Sequence, residues 1–476
     1  MTEIKPRELP PKSNFIKWYN SVLKLADIAD KRYPIKGTFV WLPYGVKLMR
    51  NIKEHWDKLF QESGISEILV PLFVSRKNAE ANKKWYEGFQ KNLYSAVLPT
   101  GKSQFILRPT GEPAMYPLFS LWIKDYGLPL RVYETVSSYR YESRTTHTLI
   151  RDREITFWYE IHTAHKTKAE SEEEAQTHLE IIRKIWKYLS IPPIVVNKPP
   201  YEVFPGAVGA IEAYTILPDG RLLENGSINI LGQAYSKIYD ITYMDEEGKK
   251  QYVWQICTGN GARYLAAVIA LHGDDRGLCL PPTIAPVQCI IVPIMQKKSR
   301  QEVEAECLKL KEKLREAGIR VEIDLRENIT PGEKFYQWEI KGVPVRIETG
   351  PREIEKKCLT VFRRDLLTRE TVESNRIIEH LRELMNDIGA TLENRVKRLF
   401  ESKVRDFDTI EDAFKWVRKG GVAKVSWCGG QSCYERICET EQAIEAIGTL
   451  LETEKKHKCV VCKKETANRT LVSKIY

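Results

Sequence analysis

Four cysteines near the C-terminus, Cys428, Cys433, Cys459 and Cys462, have metal-site spacing, C-x4-C and then C-x2-C. Each pair supplies two thiolates from one tight turn, and four thiolates complete a tetrahedral Zn²⁺ shell. A closed sulfur shell leaves no position for a substrate, so this metal would be a staple and not a catalyst. Disulfides or inert core thiols are the other reading. The absence of a recognisable signal peptide, and the scatter of Cys257, Cys279, Cys289, Cys307 and Cys358, weigh against disulfides. Cys438 competes with Cys433 for a place in the set.

Two further clusters carry charge where it is costly. Tyr139-Arg140-Tyr141-Glu142 and Arg151-Asp152-Arg153-Glu154 are embedded in apolar, strand-like sequence. Charge there must be paired internally or used on a ligand. A guanidinium fork suits phosphate, and a glutamate can accept from an adenine amino group. A salt-bridge network on one sheet face fits the same residues. Gly259-Asn260-Gly261-Ala262-Arg263 leads into the apolar stretch Tyr264–Leu271, bringing an arginine to a helix start. No Gly-Lys-Ser/Thr follows, so this is not a Walker loop. A plain strand-to-helix turn is the alternative.

These groups need elements to hold them. Leu48, Met49, Ile52, Trp56, Leu59 and Phe60 fall at helical spacing after Pro43, and Gly64 closes that helix. Ile68 to Pro71 reads as a buried strand. From Ile106 to His165 short strands alternate with charged turns, a pattern of antiparallel sheet. Leu179, Ile182, Trp186 and Leu189 mark a helix before Pro192-Pro193. After Pro281-Pro282 the pattern changes to alternating strand and helix: Val287–Pro293, a helix capped by Ser299 and Glu302, Arg320–Asp324, a helix opened by Thr330, Pro331 and Glu333, and Val343–Glu348. A long charged helix from about Val372 to Val396 leads to the cysteine lobe, which starts near Ala423 and is short for a core of its own.

At 476 residues several domains are expected, and no apolar run reaches bilayer length, which places the chain in the cytoplasm with no membrane partner. The net charge of +10 favours a polyanionic partner.

Taken together, the sequence resembles the class II aminoacyl-tRNA synthetases, and within them prolyl-tRNA synthetases of the archaeal and eukaryotic type. The resemblance is carried by Arg108-Pro109-Thr110-Gly111-Glu112, Arg140-Tyr141-Glu142, Glu160 to His165, Phe204-Pro205-Gly206-Ala207, His272 to Leu278 and the cysteine lobe ending in Tyr476. It implies an α+β fold: a class II antiparallel sheet of six to seven strands flanked by helices (residues 1–282), an α/β anticodon-binding domain (283–385) and a small zinc-stapled α+β C-terminal domain (386–476). It implies ATP, Mg²⁺ and structural Zn²⁺ as cofactors, and tRNA, proline and a second copy of the chain as partners. The Leu48–Phe60 helix and the Pro71 strand match the family's subunit contact.

By the same resemblance Thr110, Glu112, Arg140, Trp158, Glu160, His162, Phe204, Asn229 and Cys257 form the amino-acid pocket. Arg140, Glu142, Arg151, Asp152, Glu224, Ser227, Gly261 and Arg263 hold ATP, with Arg140 and Arg263 catalytic and Glu224 on magnesium. Glu339, Arg346, Arg352 and Glu353 face the anticodon, with an ordinary helix-surface partner as the other reading of Glu339. The sequence departs from the family pattern in the pocket: Ser227-Ile228-Asn229 stands for Thr-Ser-His, Val208-Gly209 follows the Phe-Pro-Gly-Ala stretch, and Cys257-Thr258 interrupts a Gln-Thr-Ser-Trp-Gly segment. A wider, less selective pocket is expected. A paralogue that activates another small amino acid or serves another acceptor, or a non-catalytic tRNA-binding protein, would share most of these motifs.

Overall fold

The computed structural model describes residues 9–102, 104–143, 145–295, 299–438, 443–451 and 456–476. Its largest sheet has eight strands in the order Thr449–Leu450, Ile194–Lys198, Gly209–Ile216, Leu222–Gly232, Trp254–Asn260, Glu154–His165, Leu130–Tyr139 and Ser66–Glu67. Neighbours run antiparallel except for the last pair. Seven strands come from the N-terminal region, as the resemblance implies. The eighth is lent by the C-terminal lobe, which pairs Thr449 and Leu450 with Asn197 and Val196.

Three helices cover one face of this sheet and share its main core. Pro43–Glu62 starts on a proline, whose missing N–H costs nothing at a first turn, and buries Leu48, Met49, Ile52, Trp56 and Phe60. Lys168–Tyr188 opens with a full capping box between Thr167 and Glu170. Arg263–His272 is apolar all round and buried along Tyr264 to His272, as a helix between sheet and neighbours must be. Trp56, Trp186, Tyr159 and Tyr264 meet at the centre.

The second region is a five-stranded mixed sheet flanked by Arg300–Glu316, Pro331–Ile340 and Ile377–Lys403. The third is a four-stranded sheet ordered Val404–Phe407, Val422–Ser426, Arg469–Lys474 and Ile444–Ala446, with two short helices. The last residue packs against the largest sheet. The Tyr476 N–H donates to Leu222 O at 3.1 Å and its hydroxyl to Asp219 Oδ2 at 2.6 Å.

Several sequence expectations change here. The stretch Glu112–Tyr126 is a helix and not strand and turn; Gly111, Pro113 and Pro117 disguise it, though a proline in the first turn is compatible with helix. After Gly64 the ladder covers Ser66 and Glu67 with one further bond from Ile68 N–H to Tyr133 O at 2.8 Å, and Leu69 is 77% exposed, so Ile68 to Pro71 is not a buried strand. The charges of Arg140 to Asp152 lie in the connection between two strands, not within them. Ser299 precedes its helix without a side-chain cap. The long helix begins at Ile377, because Thr368–Glu373 instead pairs with Cys358–Arg363. The C-terminal lobe starts at Val404, before Ala423, and has a core of its own around Val425, Trp427, Tyr434 and Ile437.

Candidate active site

Sheet register assembles the pocket. One row across the strands aligns Asn229, Cys257, His162 and Val132. The row two residues along aligns Glu212, Ser227, Gly259, Glu160 and Glu134. Because side chains alternate with period two, both rows point to the same face. All of them but Val132 and Glu134 line a cavity of about 200 Å³ that Phe89, Thr110, Glu112, Arg140, Trp158 and Phe204 help to complete.

Glu112 opens the hidden helix and is 2% exposed. Cys257 Sγ lies 3.4 Å from its Oε1, whereas Oε2 is buried without a hydrogen bond. Burial, with Glu160 adding repulsion, pushes this carboxyl above its ordinary range. A bound cation would reverse that. Thr110 beside it accepts from Trp85 Nε1 at 3.0 Å. Arg140 stands over the Trp158 ring, 5.1 Å from its centroid, and is fixed by a bond from Nε to Pro109 O at 3.1 Å. Its other nitrogens remain for a ligand carboxylate or phosphate.

Trp158 Nε1 donates to Glu160 Oε1 at 2.6 Å, and Glu160 Oε2 lies 3.3 Å from His162 Nε2. Burial alone would raise the carboxyl and lower the imidazole. Their contact wins, holding Glu160 below and His162 above their ordinary values. Tyr116 OH meets His162 Nδ1 at 3.0 Å. Beneath them Arg108 and Glu134 form a buried ion pair at 2.6 Å. Glu112, His162 and Cys257 have ligand atoms within 4.8 Å of one another, but both His162 nitrogens are engaged, so the set reads as a hydrogen-bonded pocket wall.

Arg263 pairs with the Glu224 carboxylate and bonds to Ile150 O at 2.9 Å and to Glu224 O at 3.1 Å. Glu224 and Ser227 line the cavity; Gly261 and Arg263 do not, and Arg263 is tied to it through Glu224. Gly261 is needed for packing: a Cβ there would sit 2.8 Å from Phe157 O. Glu142, Arg151 and Asp152 do not line the cavity. Asp152 accepts from the Leu149 N–H at 2.7 Å, and burial pushes its carboxyl up to about 8, so it staples the loop. Arg151 borders a separate cleft toward the C-terminal lobe, with His147, Arg221 and Tyr476.

Sequence reasoning missed Glu212. It sits opposite Ser227, 3.8 Å from Lys198, and burial pushes it up to about 7. Its signal was a lone acid alternating with apolar residues in Gly209–Ile216. In the second domain, Glu339 and Arg346 are internal, joined at 2.9 Å and buried. Glu353 caps Gly350 N–H at 3.0 Å, and Arg352 is exposed.

The four cysteine sulfurs of the C-terminal lobe converge within 4.8 Å, with Cys428 and Cys462 at 3.7 Å. That spacing matches the edge of a tetrahedron with Zn–S bonds of about 2.3 Å, namely about 3.8 Å. Cys438 is outside the cluster, and Cys433 is in it.

Residues 96–272 match the class II tRNA synthetase core domain for G, H, P, S and T, and residues 288–384 match an anticodon binding domain. The proline–tRNA ligase of Thermococcus kodakarensis is 42% identical over 462 residues, covering 95% of this chain and 96% of that one. That of Thermofilum pendens is 40% identical, covering 92% of each. The chain belongs to the proline–tRNA ligases. It is therefore an aminoacyl-tRNA ligase of class II. A crystal structure of prolyl-tRNA synthetase from Cryptosporidium parvum, complexed with L-proline and AMP, has a TM-score of 0.90 over 98% of this chain and 99% of that one, at 29% identity. The family fold thus extends through the cysteine lobe. Among the described residues no helix is long and apolar enough to cross a membrane.

Proposed function

We propose that the cavity between Glu112 and Arg140 binds proline and ATP, forms prolyl-adenylate and passes the prolyl group to tRNA. The observation that carries this is the buried, half-unpartnered Glu112 carboxylate lining one cavity with a tryptophan-stacked arginine. Glu112 takes the amino group of proline, and Thr110 flanks it. Trp158, His162, Phe204, Asn229 and Cys257 wall the ring. Arg140 neutralises both the amino-acid carboxylate and the α-phosphate as a carboxylate oxygen attacks phosphorus and pyrophosphate leaves. The reaction needs alignment and charge neutralisation more than proton transfer, which fits a site rich in fixed ion pairs.

Arg263, held by Ile150 and Glu224, meets the outer phosphates. Gly261 and Ser227 flank them, and Glu142 reads the adenine edge. Glu224, with Glu212 behind it, offers oxygen ligands of the kind Mg²⁺ takes, and that ion would supply further charge neutralisation at phosphate. Proline-dependent ATP–pyrophosphate exchange tests this reading.

The cysteine cluster holds one structural Zn²⁺. A metal at about a thousand times its Kd adds about 4 kcal/mol to stability. Cys459→Ser is therefore expected to release zinc and lower the melting temperature, with activity lost only indirectly. Metal analysis that finds no zinc, or a disulfide between Cys459 and Cys462, would contradict it.

Two copies pair through the segment after Gly64. Leu69 at 77% and Tyr126 at 80% exposure border a cleft lined also by Ile68, Pro71, Leu118 and Trp122. Contiguous apolar surface of this kind marks an interface. Sedimentation is expected to give a dimer at micromolar concentration; a monomer there would refute this. As an enzyme of translation it works in the cytoplasm.

A further inference from the structure

Trp158, His162, Asn229 and Cys257 bring hydrogen-bonding groups to the wall that surrounds the ring in the proposed site. Three of the four are already engaged. Trp158 Nε1 donates to Glu160 at 2.6 Å, and the two nitrogens of His162 meet Tyr116 at 3.0 Å and Glu160 at 3.3 Å. Cys257 Sγ lies 3.4 Å from Glu112 Oε1; burial pushes its thiol up, so it keeps its proton and directs it at that carboxylate.

Asn229 differs. Its Oδ1 accepts from Ser227 at 3.0 Å, but its Nδ2 reaches only Cys257 Sγ, at 3.7 Å. Sulfur is a weak acceptor, and the amide nitrogen carries two hydrogens. Among the described residues no other group bonds to this side chain. Asn229 is 9% exposed, so a spare N–H has little water to turn to. A buried donor in that state is costly, and a ring made only of CH₂ groups cannot relieve it.

Register fixes where the amide lies. Asn229 is paired with Cys257, and Cys257 with His162, so the three stand in one row on one face of the sheet. Cys257 sits between Asn229 and Glu112, in contact with both. An imino acid held by its nitrogen on Glu112 extends its ring along this row toward Asn229. The family pattern has histidine at that position, and the shorter asparagine leaves space between ring and amide.

We infer that the pocket also activates prolines that carry a hydroxyl on the ring, with Asn229 as the residue that determines this specificity. The inference rests on the proposed reading of the site and extends its substrate class. The hydroxyl oxygen accepts from Asn229 Nδ2 and gives the amide the partner it lacks. Its hydrogen finds an acceptor in Asn229 Oδ1, which has a second lone pair, or in Cys257 Sγ. Both belong to the sheet, so only a hydroxyl on the ring face turned to the sheet reaches them. On the other face it loses hydration and gains neither partner. The two epimers are therefore not equivalent.

The test is ATP–pyrophosphate exchange by the full chain with proline, cis-4-hydroxyproline and trans-4-hydroxyproline. One epimer is expected to reach at least about a tenth of the kcat/KM of proline and to exceed the other by about ten-fold or more, the worth of one well-made hydrogen bond in a closed site. The ratio of that epimer to proline is read within each protein, so that general damage cancels. In Asn229→Leu, which keeps the volume and removes the amide, it is expected to fall about ten-fold. Asn229→His fills the space and is expected to lower the ratio too; it carries the test if the leucine variant does not fold. Exchange with neither epimer, equal exchange with both, or a ratio unmoved in the folded variants would overturn the inference. Absence of exchange with proline and with both epimers would instead sink the reading of the site, and this inference with it.

Discussion

Arg140→Ala is expected to cut proline-dependent ATP–pyrophosphate exchange by at least about 100-fold in a protein that remains folded. Removing a fixed cation from a phosphoryl transition state costs about 3 kcal/mol or more, because the site is water-poor and nothing else there is preorganised to replace it. Folding is spared for a structural reason. Arg140 lies in the connection after Leu130–Tyr139, and among the described residues its side chain makes one hydrogen bond, to Pro109 O, and stacks on Trp158 and Phe89. Arg263→Ala is expected to act in the same direction. It would also release the Glu224 carboxylate and Ile150 O from their partner. Circular dichroism and melting temperature, measured beside exchange, separate the chemical effect from unfolding. Near-normal exchange in folded Arg140→Ala would refute its role.

Glu112→Gln is expected to raise the KM for proline by roughly 100-fold, since losing one partner of a buried charge pair costs about 2–5 kcal/mol. The effect is specific to the amino acid. The KM for ATP should move little, which distinguishes this change from a collapsed pocket. The floor of the pocket predicts a smaller effect. Asn229 Nδ2 lies 3.7 Å from Cys257 Sγ, and Asn229 Oδ1 accepts from Ser227 at 3.0 Å. Asparagine and cysteine occupy places where the family pattern has histidine and serine, so a proline ring bound as proposed would have one contact fewer. Differences of that size are worth about 1–3 kcal/mol in discrimination. Weaker rejection of alanine and cysteine is therefore expected, and Asn229→His should restore part of it. Strong rejection of both by the parent enzyme would show that the substitution is compensated elsewhere.

The elements legible in the sequence were those whose signals are local. Pro43–Glu62 and Pro331–Ile340 announce themselves by apolar period, by a proline at the start and, for the second, by a capping box that the structure forms in full. The helix at Glu112 was not legible, because its prolines and preceding glycine imitate a loop. Ile68 to Pro71 misled for the opposite reason: an apolar run says that burial is sought, not whether the same chain provides it. The pocket itself depends on register between strands far apart in sequence, which no spacing encodes. Glu160, His162, Asn229 and Cys257 could be gathered only through family resemblance, and Glu212 escaped because a lone acid in an apolar strand does not say what its sheet face will border. Glu339 and Arg346 show the same limit. Seven residues apart, they neutralise each other only because strand Val345–Thr349 lies against helix Pro331–Ile340.

The most direct test of the central claim is amino-acid-dependent ATP–pyrophosphate exchange measured with each of the twenty amino acids and purified protein. Proline is expected to give the highest kcat/KM, with alanine and cysteine behind it and the bulky and charged residues inactive, in keeping with a cavity of about 200 Å³ closed by Trp158 and Phe204. Absence of exchange with proline, or a higher kcat/KM for any other amino acid, would contradict the account.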